Sequence, residues 1–415
     1  MSFLDEYDSV EPVGQAALLR RWLALNPLEL FAELREKRPI FMTALGVLVT
    51  KRKDVLEVLS QSREFSVRIY APRMERITGP FILGMDNTSD YQHEVSVLRL
   101  ALKREDLSRI KELVGRHASQ IVADAVIANR LDVVDGLARL VPTLLIAEYF
   151  GVPAPTAQTM FRWTRTIFHD IFLNPRDDEA IREAALKSAA EMNAHVDELI
   201  AVRQSEMRKG GPQTDDVLGR LLEMQCNSSS YLDNITIRRN LMGLIAGAID
   251  TTSKAITQLT DQLLRRPDTL KDAHRAAATD NDALLSSYIF EALRFNPQNT
   301  ILFRFCESSY TLAKGTDRAR RIEAGQVVIA ATSSAMFDSE EVEAPLEFRL
   351  DRPPYHYLHF GHGLHTCFGE YINQVQVTEV TKHLLKQAGL RRSPGPEGEL
   401  IFSGPFPESM VVAFA

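Results

Sequence analysis

Cys367 lies in the run His359-Phe360-Gly361-His362-Gly363-Leu364-His365-Thr366-Cys367-Phe368-Gly369. The residue types and spacing suit the holding of a haem iron by a thiolate. A cysteine sulfur binds metal as the anion. Gly363 lets the chain turn sharply before the ligand, and Gly369 lets a following helix approach the macrocycle closely. Phe360 can cover one face of the ring beside the sulfur, and His365 can hydrogen-bond a propionate. Backbone N–H groups just after Cys367 open the next helix and can donate to the sulfur. A thiolate trans to oxygen pushes electron density that favours O–O cleavage.

A second run, Gly247-Ala248-Ile249-Asp250-Thr251-Thr252, sits inside a long helical pattern. Gly247 and the paired threonines weaken helix propensity at one spot. A threonine hydroxyl there can compete for a backbone carbonyl and open the helix locally. Small residues at Gly247 and Ala248 leave room for dioxygen over a flat cofactor, and Asp250 and Thr251 can relay protons to it. A third feature is Glu291 and Arg294, which at i,i+3 share one helix face.

In this order the runs resemble the cytochrome P450 superfamily. The first matches Phe-x-x-Gly-x-x-x-Cys-x-Gly, with a His two before the Cys. The second is similar to Ala/Gly-Gly-x-Asp/Glu-Thr, with Ala248 for the second Gly. Glu291 and Arg294 match Glu-x-x-Arg. The resemblance implies a mainly α fold with a smaller β region: a helix-rich prism with haem b between the long central helix and the Cys-loop helix. It makes Cys367 the iron ligand and places Phe360, Gly369, Gly247 and Ala248 against the ring. It sets Arg304, His365 and His93 on the propionates. It joins Glu291, Arg294 and Arg352 in a buried structural ion-pair group. It lines the distal pocket with Ile77, Phe81, Ile82, Leu83, Leu244, Asn299, Thr300 and Ile301, so the substrate is expected to be a lipophilic small molecule.

The implied reaction inserts one oxygen atom from O₂, by hydroxylation or epoxidation, with ferredoxin and ferredoxin reductase as electron donors. Lys103, Arg104, Arg109 and Lys111 form a basic stretch suited to docking an acidic ferredoxin. Two alternatives keep the same motifs. One is a peroxide-using peroxygenase or an oxygenated-lipid isomerase; the other is a non-catalytic haem or ligand-binding protein. The chain also departs from the family pattern. Val97 stands where an arginine is expected after His93, with Arg99 nearby. Ala335-Met336-Phe337-Asp338 replaces Ala-Asn-Arg-Asp, and Asn373 and Gln374 replace Ala-Arg after the Cys loop.

Strong helical periodicity begins at Asn26-Pro27-Leu28-Glu29, where Asn26 is expected to cap and Pro27 to take the first helical position. Ile40 to Met42 and Val47 to Val49 read as a hairpin about Gly46. Ile69 to Asn87 reads as a loop with one helical turn. The stretch from Tyr91 to about Arg208 is mostly helical, Gly210-Gly211-Pro212 is a loop, and helices follow near Asp233 to Arg266, Asp282 to Phe295 and Phe368 to Gln387. Strands are expected at Ile301 to Cys306, Tyr310 to Leu312, Gln326 to Ala330 and in the tail. No repeat or linker divides residues 1–415, which read as a single domain.

A chain of 415 residues can bury a large core without disulfides. Its formal charge of −7 argues against nucleic-acid binding. Three scattered cysteines give no disulfide framework and no zinc spacing, which points to a reducing cytoplasm. Asp5, Glu6, Asp8 and Glu11 near the start suit neither a signal peptide nor a membrane anchor. A soluble cytoplasmic monomer is the expectation.

Overall fold

The structure is a computed structural model that describes residues 2–211, 214–227 and 232–415. Pro212, in the loop expected after Gly211, lies outside the described residues. Ile40–Thr43 and Gly46–Val49 pair antiparallel, Ile40 opposite Val49 and Thr43 opposite Gly46. Gly46, at φ +133°, is needed at the turn, because a Cβ there would run into the Val327 carbonyl. Gly46–Val49 runs parallel to Val327–Ala330, which pairs antiparallel with Leu302–Cys306. Phe65–Ser66 closes this five-stranded sheet at its far edge.

The chain packs as two compact units. The first comprises the residues up to Ile69, Leu83–Thr88 and Leu293–Phe368, and holds the five-stranded sheet. One sheet face buries Val47, Val49, Phe65, Cys306 and Val328 with the helix Arg52–Ser60; another core gathers Leu19, Leu30, Phe31, Leu34 and Leu48. Part of that second core, Leu19 among it, comes from helices ahead of Asn26 that the sequence periodicity does not mark. Phe3–Ser9 and Pro12–Leu25 precede Asn26, the first with a capping box between Ser2 and Asp5. Asn26 does not cap with its side chain. It serves two helices through its backbone, donating to Trp22 O at 2.8 Å and accepting from Leu30 N at 3.1 Å.

The second unit comprises Tyr70–Ile82, Ser89–Ala292 and Gly369–Ala415. Its axis is the long helix Asn234–Leu264, whose first turn is capped by Asp233 accepting from Thr236 N at 2.7 Å. Ile237, Leu241, Ile245, Ile249, Ile256, Leu259 and Leu263 recur at three, four and once seven residues and are all fully buried. Around it lie the helices Ala157–Leu173, Glu179–Arg208 and Glu370–Leu385, the last here called the Cys-loop helix. Two π turns, Val134–Ala138 and Ile146–Phe150, flank Leu140–Leu145. In the first, Ala138 N and Arg139 N donate five residues back, to Val133 O at 2.8 Å and Val134 O at 2.9 Å. The tail forms the hairpin Ile401–Ser403 with Phe406–Ser409, and Val411–Ala413 lies between Leu131–Asp132 and Arg391–Arg392. Ile69 to Asn87 holds the helix Ala71–Ile77 and the turn Ile82–Gly84, more structure than its irregular spacing suggests. Among the described residues no helix is long and apolar enough to cross a membrane.

Candidate active site

In the first unit the Cys367 loop is shaped by its own backbone. Cys367 N donates to Phe360 O at 2.8 Å and Thr366 N to Gly363 O at 3.1 Å, so the loop is closed on both sides of His365. Gly363 sits at φ +77°, and a Cβ there would lie 2.5 Å from the Leu59 carbonyl oxygen. Gly369 stands at the N-cap of the Cys-loop helix at φ −84°, a value any residue adopts. Gly363→Ala is expected to lower stability by about 1–3 kcal/mol from the left-handed backbone alone, with the clash added. Gly395, at φ +82° with nothing near its Cβ direction, gives the control. Thermal unfolding should show Gly363→Ala well below Gly395→Ala; equal midpoints would mean the loop yields freely.

Arg304 lies on the strand Leu302–Cys306 opposite Val328, is buried, and donates to Phe303 O at 2.8 Å. It is close enough to His365 to act on it electrostatically: burial first, then Arg304, pushes the imidazole down to about 4. Gln298 donates to His359 O at 2.7 Å, tying the stretch with Asn299, Thr300 and Ile301 to the start of the loop. Asn299 is exposed, while Thr300 and Ile301 are half-buried; Thr300 O accepts from Ser333 N at 3.1 Å.

Arg294 is fully buried and reaches Pro345 O at 2.6 Å, Met336 O at 3.3 Å and Glu347 O at 3.0 Å. Arg352 shares that last carbonyl at 2.9 Å and adds Ala344 O and Glu343 O. The two arginines are therefore joined through the backbone of 343–347. Glu291, three residues before Arg294 on the helix Asp282–Phe295, is also fully buried. The departures at 336–338 have uses here. Phe337 covers the Arg294 guanidinium at 4.5 Å, Met336 Sδ accepts from Leu358 N, and Asp338 accepts from Arg52 N at 2.8 Å.

In the second unit Thr251 Oγ1 donates to Gly247 O at 2.5 Å. A Cβ at Gly247 would meet nothing within 4 Å, so the helix presents open space there. Asp250, one residue earlier, points elsewhere. Its carboxylate accepts from Arg165 Nε at 3.2 Å, lies 3.3 Å from Thr164 Oγ1 and 3.8 Å from Arg139 Nε. Burial pushes this carboxyl up, against the opposing pull of the two arginines. Arg165 goes on to Glu408 at 2.8 Å and to Pro407 O at 3.1 Å. Thr252 donates to Asn373 Oδ1 at 2.7 Å, so the residue departing from the family pattern holds the long helix to the Cys-loop helix. Phe81 packs its ring where a Cβ at Gly243 would have to go. Ile77 and Ile82 are buried in this unit, and Leu244 is half-buried beside Gly243. Leu83, half-buried, belongs to the first unit. His93 and Arg99 are both exposed on the helix Ser89–Ala101, whose buried Glu94 holds Asn240 at 2.5 Å.

The family model for cytochrome P450 matches residues 13–405. The chain belongs to the cytochrome P450 family. It is 26% identical over 385 residues to the mycinamicin IV hydroxylase/epoxidase of Micromonospora griseorubida, covering 90% of this chain and 91% of that one. It is 26% identical over 401 residues to the steroid C26-monooxygenase of Mycolicibacterium smegmatis, covering 93% and 92%. Among solved structures it is similar to CalO2, with a TM-score of 0.81 at 22% identity over 95% of this chain and 97% of that one. The P450 fold, mainly helical with a smaller sheet region, and an oxidoreductase activity of the monooxygenase type follow from the family.

The cofactor of a P450 is haem, iron protoporphyrin IX. The residues fit it. Within the first unit, a thiol half-buried in a backbone-closed loop and a buried arginine beside a histidine suit its iron and a propionate; within the second, a helical glycine borders open space. Sequence reasoning missed Arg139, Thr164 and Arg165, and marked Asn373 only as a departure from the family pattern. They come from distant segments, and no local spacing marks them. Of the basic stretch, Arg109 pairs with Asp215 and Lys111 with Asp282, while Arg104 stacks at 3.6 Å on Tyr371 of the Cys-loop helix. That pairing removes part of the positive patch.

Proposed function

We propose that this P450 is a haem-thiolate monooxygenase with Cys367 as the iron ligand, acting on a lipophilic small molecule in the cytoplasm. Electrons would come from a ferredoxin and its reductase, and the chain works as a single monomeric domain. The observation that carries the reading is the arrangement at 247–251: open space at Gly247 beside a threonine hydroxyl that bonds into its own helix. When bound, the haem supplies the redox centre at which dioxygen is reduced and one atom transferred. The protein's part is to hold groups around it. Arg304 and His365 would anchor one propionate, and His93 is assigned to the other, with Val97 contributing no charge. Ile77, Phe81, Ile82, Leu83 and Leu244 would exclude water, with Asn299, Thr300 and Ile301 bounding the substrate. Thr251 would present its hydroxyl to oxygen, and Asp250 would hold charge behind it.

The relatives named above act on mycinamicin IV and on a steroid, both consistent with an apolar pocket. The test is reconstitution with a ferredoxin, its reductase and NADPH, using testosterone, dodecanoic acid and limonene as probes. Product from at least one, and little with hydrogen peroxide alone, is expected. Peroxide-driven turnover without the redox chain would favour the peroxygenase reading. Thr251→Ala should cut product at least about tenfold while NADPH consumption continues as peroxide release, since a positioned proton donor contributes roughly 10²–10⁴-fold.

A further inference from the structure

Thr251, Thr252, Thr257 and Thr260 follow Gly247 on the long helix. Three of them behave alike. Thr251 Oγ1 donates to Gly247 O at 2.5 Å, Thr257 Oγ1 to Ser253 O at 2.6 Å and Thr260 Oγ1 to Ile256 O at 2.7 Å. Each hydroxyl bonds the carbonyl four residues back, an ordinary arrangement for a helical threonine. Thr252 differs. Its hydroxyl crosses to the Cys-loop helix and donates to Asn373 Oδ1 at 2.7 Å. A hydroxyl has one proton, so this bond keeps Thr252 off Ala248 O, the carbonyl four residues before it.

The difference matters because of where it falls. A threonine hydroxyl on a helical carbonyl competes with the ladder N–H and bends the helix at that turn. At Gly247 the bend lies beside the open space that this glycine leaves. Ala248 is about 100° further around the helix. A second hydroxyl bonded there would bend the same turn in another direction and carry Thr251, the neighbour of Thr252, with it. Asn373 stands where it prevents this. It lies in the first turn of the Cys-loop helix, and its own N–H donates to Gly369 O at 2.9 Å. Thr252 is buried, which shields the bond between the two helices from competing water.

We propose that Asn373 is a positioning residue for oxygen activation: by holding the Thr252 hydroxyl it confines the helix opening to Gly247 and fixes Thr251 for proton delivery. It acts through Thr252 and the peptide that joins Thr252 to Thr251, and its role rests on the monooxygenase reading. Without Asn373 the Thr252 hydroxyl turns back to Ala248 O, as its neighbours turn to their own carbonyls.

The experiment is a double-mutant cycle on the holoenzyme with ferredoxin, reductase and NADPH. It follows the ratio of hydrogen peroxide to oxidised product, with whichever of testosterone, dodecanoic acid and limonene gives most product. Asn373→Ala should raise this ratio about fivefold in the wild-type background, the factor set by the net contribution of one hydrogen bond. In the Thr252→Val background, where no hydroxyl remains to turn back, the same substitution should add nothing. Asn373→Asp, whose carboxylate still accepts from Thr252, should stay near the wild-type ratio. No rise in the wild-type background, or an equal rise in both, overturns the proposal. Amide hydrogen exchange, read by mass spectrometry on peptides spanning Gly247 to Thr252, gives a readout apart from turnover. Asn373→Ala should speed exchange there in the wild-type background and not in the Thr252→Val background. Unchanged exchange in the former overturns the proposal even where no probe is oxidised. A Thr251→Ala enzyme with the wild-type ratio removes the relay, and with it the reading beneath; the exchange cycle then still separates that failure from a failure of the Asn373 bond.

Discussion

Cys367→Ser should abolish the far-red-shifted Soret band of the reduced, carbon-monoxide-bound protein, and oxygen insertion with it. The substitution changes one atom and leaves the loop intact, because the bonds that close it are backbone bonds: Cys367 N to Phe360 O, Thr366 N to Gly363 O and Gly361 N to Leu358 O. None uses the sulfur. A serine hydroxyl holds its proton far more tightly than a thiol, so it gives the iron no anionic sulfur and no electronic push. The variant should thus stay folded and bind haem weakly or through a neutral ligand. Absorption spectroscopy beside circular dichroism separates the cases. Loss of the band with unchanged helicity assigns Cys367 as the ligand. A retained band would move the ligand to another cysteine, and neither alternative suits the task. Cys306 is buried in the sheet with its thiol pushed further up by burial, and Cys226 is on the surface.

How much of this was legible in the sequence depends on whether the determinant is local. Gly363 and Cys367 act through their own loop, and Thr251 through the helix turn it sits in, so spacing alone marks them. The helix Asp282–Phe295 and the strand Tyr310–Leu312 likewise end where their sequence signals stop. The environment of Asp250 is set by Thr164 and Arg165 on one helix and Arg139 at the end of a π turn, segments separated by tens of residues. No periodicity connects them. The helices Phe3–Ser9 and Pro12–Leu25 escaped for a related reason. In Phe3–Ser9 the apolar residues are few, in Pro12–Leu25 they crowd without one clean stripe, and both sets acquire meaning only against Leu30, Phe31 and Leu48. Arg294 shows a third kind of gap: besides the helix face it shares with Glu291, it forks onto three backbone carbonyls, which carry no side-chain signature at all.

That fork gives the second large effect. Arg294→Ala is expected to destabilise the protein by about 3–5 kcal/mol and to yield mainly haem-free chain. The guanidinium is fully buried, lies against the rings of Phe295 and Phe337 at 4.6 and 4.5 Å, and satisfies Met336 O, Pro345 O and Glu347 O. Alanine leaves those carbonyls without this donor and opens a hole beside two aromatic rings. Each orphaned buried acceptor costs roughly 1–3 kcal/mol. Arg352 cannot take over, since its own donors are already committed to Glu343 O, Ala344 O and Glu347 O. Arg294→Lys should recover only part of the loss, because an ammonium is a single point of donation where the site is built for a planar fork. Arg349 is the contrast. It pairs with Asp351 and Glu343 at the surface, and Arg349→Ala should leave the unfolding midpoint close to that of the wild type. Urea unfolding of the three variants, with haem content read from the Soret absorbance, tests the ranking. Arg294→Ala unfolding at the wild-type urea concentration would show that the 343–347 backbone finds other donors, and that the buried arginine serves something other than stability.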